Sequence, residues 1–239
     1  MQKVQPPYVL LMLVLLLLSL AVPVQAGFQE VAVTRNLDQN GSVMDTVELA
    51  KGSAFVQAVH REALDILPAS LLSARSLALE EILKPRAEQM VYSYSELKRN
   101  MDGQALTLSM SVGVNAQALK AWLKSWGIYY TARQQLTCSV SIRGESQKER
   151  ERLETFMLIT GIKGSHQSSD LSLRVRKTSQ QPEQWDLRLT GPETTLTRSG
   201  SELDSAWHDL WSEYFSLDTV QGRFGQSFRV QIAGWTTSS

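Results

Sequence analysis

Residues 90–114 read MVYSYSELKRNMDGQALTLSMSVGV and contain the clearest structural pattern of the chain. From Leu106 to Val114 apolar residues alternate with small polar ones, which is the two-residue period of a half-buried strand. Residues 90–97 alternate methionine and tyrosine with polar residues in the same way. Asp102-Gly103 lies between the two runs, and this pair tolerates the positive φ of a tight turn. The stretch therefore predicts a long β-hairpin.

The segments on either side of the hairpin predict one further strand and several helices. Phe28–Val33 alternates as a strand, and apolar residues recur at helical spacing from Val47 to Leu67. Two more helices are expected at residues 73–84, where Pro85 ends the pattern, and at 115–126, where Gly127 ends it. Ile128–Tyr130 is expected to be a short closing strand. This organisation predicts a first α+β domain over residues 27–131.

Residues 135–239 predict a second α+β domain with its own sheet. Helices are expected at Gln147–Thr160 and after Ser201. Strands are expected at Leu136–Ile142, Leu171–Val175, Trp185–Leu189, around Leu196 and at Phe228–Ile232, with a short strand or turn at Ile162. A strand–helix–strand–strand order with a later covering helix is typical of a split βαβ arrangement. The predicted fold class is α+β: two small domains, each an antiparallel or mixed sheet covered by helices.

Residues 1–26 have the layout of a secretory signal peptide. Lys3 precedes the apolar run Tyr8–Val22, and small residues stand at the end of the segment. The run falls short of the roughly 20 apolar residues that a spanning helix needs. We therefore expect cleavage between Ala26 and Gly27, leaving an exported protein that is soluble and does not span the membrane.

Cysteine content and charge narrow the class of protein further. Cys138 is the single cysteine, so no disulfide can form within the chain; an exported protein without disulfides favours a Gram-negative periplasm. The 24 Lys and Arg residues balance 24 Asp and Glu residues. A net positive field is what non-specific nucleic-acid binding relies on, so a nucleic-acid partner is not expected.

The first domain resembles a known periplasmic module. An alanine-spaced helix precedes the hairpin sequence QMVYSYSELKRNMDGQALTLSMSVGVN, and the helix AQALKAWL follows it. This order resembles the N-terminal domain of flagellar assembly protein T and related Gram-negative envelope proteins. The resemblance covers residues 28–131. It implies a non-catalytic α+β scaffold that acts in assembly or protein binding, and it transfers no site residue.

Motifs for catalysis or metal binding are missing from the sequence. There is no Gly-x-Ser-x-Gly elbow, no His-Glu-x-x-His and no phosphate loop. His208 and Glu213 are five residues apart, which does not place two ligands side by side on a helix. We expect no catalytic residue, no metal and no cofactor.

Two features of the second domain are candidates for a partner surface. Arg174, Arg176 and Lys177 form a basic strand segment that suits an acidic partner or lipid head groups, or else protects an edge strand from aggregation. Trp207 and Trp211 form an aromatic stripe that suits a recognition face, or else packs in the core.

The sequence thus predicts a non-enzymatic periplasmic protein that acts by protein–protein contact in envelope, flagellar or appendage assembly. One alternative is a periplasmic binding module with an aromatic-lined pocket between the domains for a small ligand or glycan. Another is an enzyme of unknown class, which would need polar residues converging in a pocket.

Overall fold

The computed structural model of the chain describes residues 27–37, 42–165, 169–180 and 183–224. The signal peptide predicted at residues 1–26 and the last strand predicted at Phe228–Ile232 lie outside these residues. Within them, the α+β class is confirmed, because two separate sheets are each covered by helices.

The first half folds around the predicted hairpin. Its elements, in chain order, are β1 Gly27–Asn36, α1 Val43–Ile66, α2 Ser73–Leu83, α3 Ala87–Met90, β2 Val91–Asp102, β3 Ala105–Val114, α4 Ala116–Ser125 and α5 Ile128–Thr131. Strands β2 and β3 pair antiparallel across the turn, where Gly103 has a φ of 58°. Strand β1 pairs antiparallel with the other side of β3, which gives the strand order β1-β3-β2.

Helix α1 covers one face of this sheet. Ser42 caps it by accepting a hydrogen bond from the Asp45 amide. Ala50, Ala54 and Ala58 are fully buried, and their small side chains let the helix axis approach β1 and β3 closely. The alanine spacing seen in the sequence is therefore a packing feature.

The strand predicted at Ile128–Tyr130 is wrong, because this segment is helical. Gly127 adopts the left-handed conformation, with a φ of 72°, and reverses the chain after α4. The Thr131 amide then donates to the Gly127 carbonyl and closes a new helical turn, α5. The β-branched and aromatic composition of this segment suits a strand, but the reversal at the glycine decides its structure.

The second half contains a mixed sheet of the strands β5-β4-β6-β7-β8. Its elements are β4 Leu136–Arg143, α6 Gln147–Thr160, β5 Ile162–Gly164, β6 Leu171–Gln180, β7 Glu183–Thr190, β8 Thr195–Gly200, α7 Leu203–Ser216 and α8 Asp218–Phe224. The predicted split βαβ arrangement is wrong. Strands β4 and β5 are direct parallel neighbours with no strand between them, and β6 pairs with the other side of β4.

A buried arginine joins the two halves. Arg75, in the first turn of α2, is only 3% exposed. Its guanidinium donates to the Ile159 carbonyl at the end of α6 and to both the carbonyl and the hydroxyl of Thr131 at the end of α5. Thr131 in turn donates to the Thr160 carbonyl, and the Thr160 hydroxyl accepts from the Trp207 indole. We call these five residues the Arg75 network.

The Arg75 network needs a glycine at its centre. Gly161 ends α6 with a φ of 76°. A Cβ added there would lie 2.6 Å from the Thr131 hydroxyl and 2.7 Å from an Arg75 nitrogen. Both the backbone conformation and the lack of space therefore require glycine at this position.

Aromatic rings complete the contact between the halves. Trp126 of the first half packs edge-on against Phe156 of α6, with ring centroids 6.0 Å apart. Tyr130 stacks on Phe215 of α7 at 5.4 Å. Gly127 lies so close to Phe215 that an added Cβ would be 1.9 Å from the ring. Each sheet lies within one of the predicted domains, but the core between them is shared; the division into independent domains stays a prediction.

We predict that Arg75→Met destabilises both halves. Buried carbonyls at the ends of α5 and α6 would lose their donors, and the expected cost is about 2–4 kcal/mol of the free energy of unfolding. Urea unfolding followed by tryptophan fluorescence and far-UV circular dichroism measures this cost. Arg86→Met, at an exposed arginine, is the control and should have little effect. An Arg75→Met protein that unfolds at the wild-type urea concentration would contradict the role of the Arg75 network.

Candidate functional site

The aromatic stripe on α7 belongs to the core and not to the surface. Trp207 and Trp211 are both 0% exposed. Trp207 packs against Phe156 at 5.8 Å between ring centroids, and Trp211 packs against Tyr214 and Phe215. A recognition role for the two indoles is therefore excluded in favour of the core interpretation.

Lys177 also lies on the helix-covered face of its sheet. Its ammonium group donates to Glu149 of α6 at 2.6 Å and to Glu183 of β7 at 2.9 Å, above the Trp185 ring. These hydrogen bonds, that to Glu149 first, raise the pKa of Lys177. Lys177 is thus engaged within the protein and is separated from Arg174 and Arg176.

Glu149 is the acidic partner that fixes both Lys177 and the start of α6. Its carboxylate accepts hydrogen bonds from the amide and hydroxyl of Ser146, and its own amide donates to the Ser146 hydroxyl, which forms a capping box. Burial acts to raise the pKa of Glu149. The hydrogen bonds from Lys177 and Ser146 together outweigh burial and lower the pKa to about 2.

We predict that Glu149 contributes stability that is lost in acid. Because its folded-state pKa lies below the ordinary value of 4.5, the contribution is present above about pH 4.5 and disappears as the pH falls toward 2. Glu149→Gln should lower the free energy of unfolding at pH 7 by about 1 kcal/mol and flatten its fall between these pH values. Denaturation at several pH values measures this. Glu154→Gln, at an exposed position on the same helix, should leave the pH profile unchanged.

Arg174 and Arg176 point to the opposite, open face of the same sheet. They alternate with Leu173 and Val175, which are buried under the helices. Their strand, β6, is bonded to β4 on one side and β7 on the other, so it is a central strand. Protection of an edge strand therefore cannot explain these two arginines.

Two further arginines adjoin them on neighbouring strands. Arg143 of β4 lies beside Arg176, and Arg188 of β7 lies opposite Arg174. All four side chains are exposed. Neighbouring strands are about 4.8 Å apart, and successive same-face residues along a strand are about 6.7 Å apart. The four form a compact group in the middle of the open face, which we call the arginine tetrad.

Arg143 and Arg188 have no signal in the sequence that assigns them to this group. Each stands alone in its strand, and only the pairing of β4 with β6 and of β6 with β7 brings them to Arg176 and Arg174. Alternation along β4 and β7 assigns each arginine to the polar face, but it contains no information on strand order or register.

The arginine tetrad forms no ion pair within the described part of the chain. No hydrogen bond or ion pair to any described residue is present for its four members. Asp186, next to Arg176 on β7, is the acidic residue in direct register with the tetrad. Arginines on the covered side are paired instead; Arg198, for example, is bonded to Glu213. Like charges directly opposite each other destabilise a sheet, so the pairs Arg174–Arg188 and Arg143–Arg176 are unfavourable for folding.

We predict that Arg188→Gln stabilises the fold at low salt. Removing the repulsion between Arg188 and Arg174 should raise the free energy of unfolding by about 0.2–1 kcal/mol. The gain should vanish near 1 M salt, where the screening length is about 3 Å. Thermal unfolding at the two salt concentrations checks this. Arg99→Gln is the control, because Arg99 is bonded to Glu96 and its neutralisation should give no gain. Equal destabilisation by Arg188→Gln at both salt concentrations would contradict the prediction.

Ser125, His208 and Asp209 lie in the order of a catalytic triad between the two halves. The His208 Nε2 atom is 3.2 Å from the Ser125 hydroxyl oxygen, and the Nδ1 atom is 3.5 Å from the Asp209 carboxylate. The Ser125 hydroxyl donates its hydrogen to the Trp122 carbonyl at 2.9 Å. A hydroxyl has one hydrogen, so while Ser125 donates it to Trp122 the His208 ring can only donate to Ser125. The base role of a triad histidine requires the hydroxyl to turn toward His208 instead.

Two concave regions bear on the ligand-binding alternative. A pocket of about 190 Å³ beside Trp126 and His208 is small for a ligand. An open groove of about 840 Å³ runs between the end of β1, α1 and α2, and no aromatic side chain lines it. Neither contains Trp207 or Trp211, so the aromatic-lined pocket expected for a glycan-binding module is not formed by those residues.

Among residues 27–37, 42–165, 169–180 and 183–224, no cluster of His, Cys, Asp and Glu is arranged to hold a metal ion. None of the helices in these ranges has the length and apolar character needed to cross a bilayer. Neither a protein-family model nor a curated protein matches the chain. The resemblance to flagellar assembly protein T stays a prediction.

Proposed function

We propose that the protein is exported to the periplasm of a Gram-negative bacterium and acts there by protein–protein contact in envelope or appendage assembly. The observation that carries the proposal is the arginine tetrad on the open face of the second sheet. Four exposed, unpaired arginines on adjacent strands cost stability, and a partner that compensates their charge gives them a role.

The shape of the face supports contact with a macromolecule. Strands β4, β6, β7 and β8 present an open surface whose side chains around the tetrad are mostly hydroxyls, such as Ser141, Ser172 and Thr197. A small ligand is usually enclosed in a concave site, whereas this face is spread over several strands. Polar surfaces of this kind are common at non-obligate protein interfaces.

The cellular setting is part of the same proposal. The layout of residues 1–26 supports export. The resemblance of residues 28–131 to a flagellar assembly module supports an appendage partner among the envelope proteins.

We predict that crosslinking in intact cells captures a partner from the open face. A photoreactive amino acid at Ser141 or Thr197, which flank the arginine tetrad, should form an adduct with an exported protein. The same group at Lys148, an exposed residue near the start of α6, should not. Adducts are identified by mass spectrometry after cell fractionation.

The adduct must also depend on the tetrad. Arg174→Glu combined with Arg188→Glu should abolish it, because the face then repels an acidic partner. Lys148→Glu combined with Arg86→Glu makes the same change in net charge elsewhere and should preserve it. Adducts that form equally from all positions, or a chain that retains Met1 and stays in the cytoplasm, would contradict the proposed function.

A further inference from the structure

The arginine tetrad has a spacing that selects its partner. We infer that it binds an extended acidic segment of a partner protein, with carboxylates on alternate residues lying along β6 and β7. This inference rests on the proposed function, since it names the chemistry of the partner at the same face. The positive charge of the tetrad requires an anionic partner, and the spacing of its arginines indicates which kind.

The spacing of the arginines matches an extended chain. Arg174 and Arg176 are two residues apart on β6 and point to the same side, about 6.7 Å from each other. An extended peptide repeats its same-side residues at the same interval. Carboxylates at alternate positions can therefore each meet one guanidinium along the strand, while Arg143 and Arg188 reach the same carboxylates from either side.

Arginine suits this pairing better than lysine does. A guanidinium offers a planar fork that binds a carboxylate through two parallel hydrogen bonds. The chain has lysines elsewhere on its surface, but all four positions of the tetrad are arginine. Hydroxyl side chains beside the tetrad, such as Ser141 and Thr197, can donate to the remaining carboxylate oxygens.

A lipid surface fits the face less well. Proteins that lie on membranes insert aromatic or aliphatic side chains beside their basic residues. The large apolar side chains that are exposed in the described ranges all belong to the first half, from Phe28 to Met101. The open face of the second sheet has none of them.

Fluorescence anisotropy with a labelled peptide tests the inference on the purified protein. The probe is a peptide of alternating serine and glutamate, and the comparison peptide has the same composition with its glutamates in one block. We expect the alternating peptide to bind several-fold more tightly, with affinity that falls as salt rises. Arg174→Glu with Arg188→Glu should weaken binding by at least about tenfold. Arg174→Lys with Arg188→Lys should weaken it by a smaller factor, because the charge remains and the fork is lost.

The controls separate this inference from general charge effects and from the proposed function. Lys148→Glu with Arg86→Glu should leave peptide binding within about twofold of wild type. Equal binding of the two peptides, or equal loss in the two charge-reversed proteins, would overturn the inference. So would binding to phosphatidylglycerol-containing vesicles through the tetrad without binding to the peptide.

If cells yield a tetrad-dependent adduct but the peptide does not bind, the proposed function survives and the acidic-segment inference fails. If the peptide binds but no adduct forms in cells, the acidic-segment inference survives and the proposed function fails.

Discussion

Arg75 links the two halves of the chain through its hydrogen bonds to the carbonyl ends of two helices. A charged group at this depth is costly unless its donors are satisfied. Burial lowers the pKa of Arg75 to about 10, so the side chain is still a cation at neutral pH. It faces helix carboxyl ends, where the backbone carries partial negative charge. Ile159 belongs to the second half and Thr131 to the last helix of the first half, so the Arg75 side chain bridges the junction between the halves.

This buried junction determines which surfaces remain open. Helices α6 and α7 have one side against the second sheet and the other against the first half, where Arg75 and Trp126 meet them. All the large aromatic side chains of α7, including Trp207 and Trp211, are buried in this packing. The opposite face of the second sheet is left exposed to other molecules. The arginine tetrad lies there, so the packing that joins the halves also places the candidate binding surface.

Local patterns predicted most of the secondary structure but little of the arrangement between strands. The hairpin at residues 90–114 followed from alternation and from Asp102-Gly103, which are both local features. Ile128–Tyr130 was predicted wrongly, because the left-handed conformation at Gly127 and the packing against Phe215 outweigh the strand preference of the side chains. Strand order is a tertiary property, and for that reason β6 could not be recognised as central or β4 and β5 as direct neighbours.

The candidate site could be predicted only in part, because strand order and register are not visible in the sequence. The basic character of Arg174 and Arg176 is visible in the sequence, but Lys177 next to them faces the helices and binds Glu149. Arg143 and Arg188 join the group only through strand register. The Arg75 network had no signal in the sequence, since an arginine in a helical pattern is usually solvated.

Nuclear magnetic resonance of the arginine side chains tests both the burial of Arg75 and the exposure of the arginine tetrad. In a ¹⁵N-labelled protein, each arginine Nε–H group gives its own signal, and the exchange of that hydrogen with water reports burial and hydrogen bonding. We expect one slowly exchanging signal from Arg75, which donates to Ile159, and rapidly exchanging signals from Arg143, Arg174, Arg176 and Arg188. An acidic partner segment should shift those four signals and leave that of Arg75 unchanged. Rapid exchange at Arg75, or binding that leaves the four signals unmoved, would contradict these expectations.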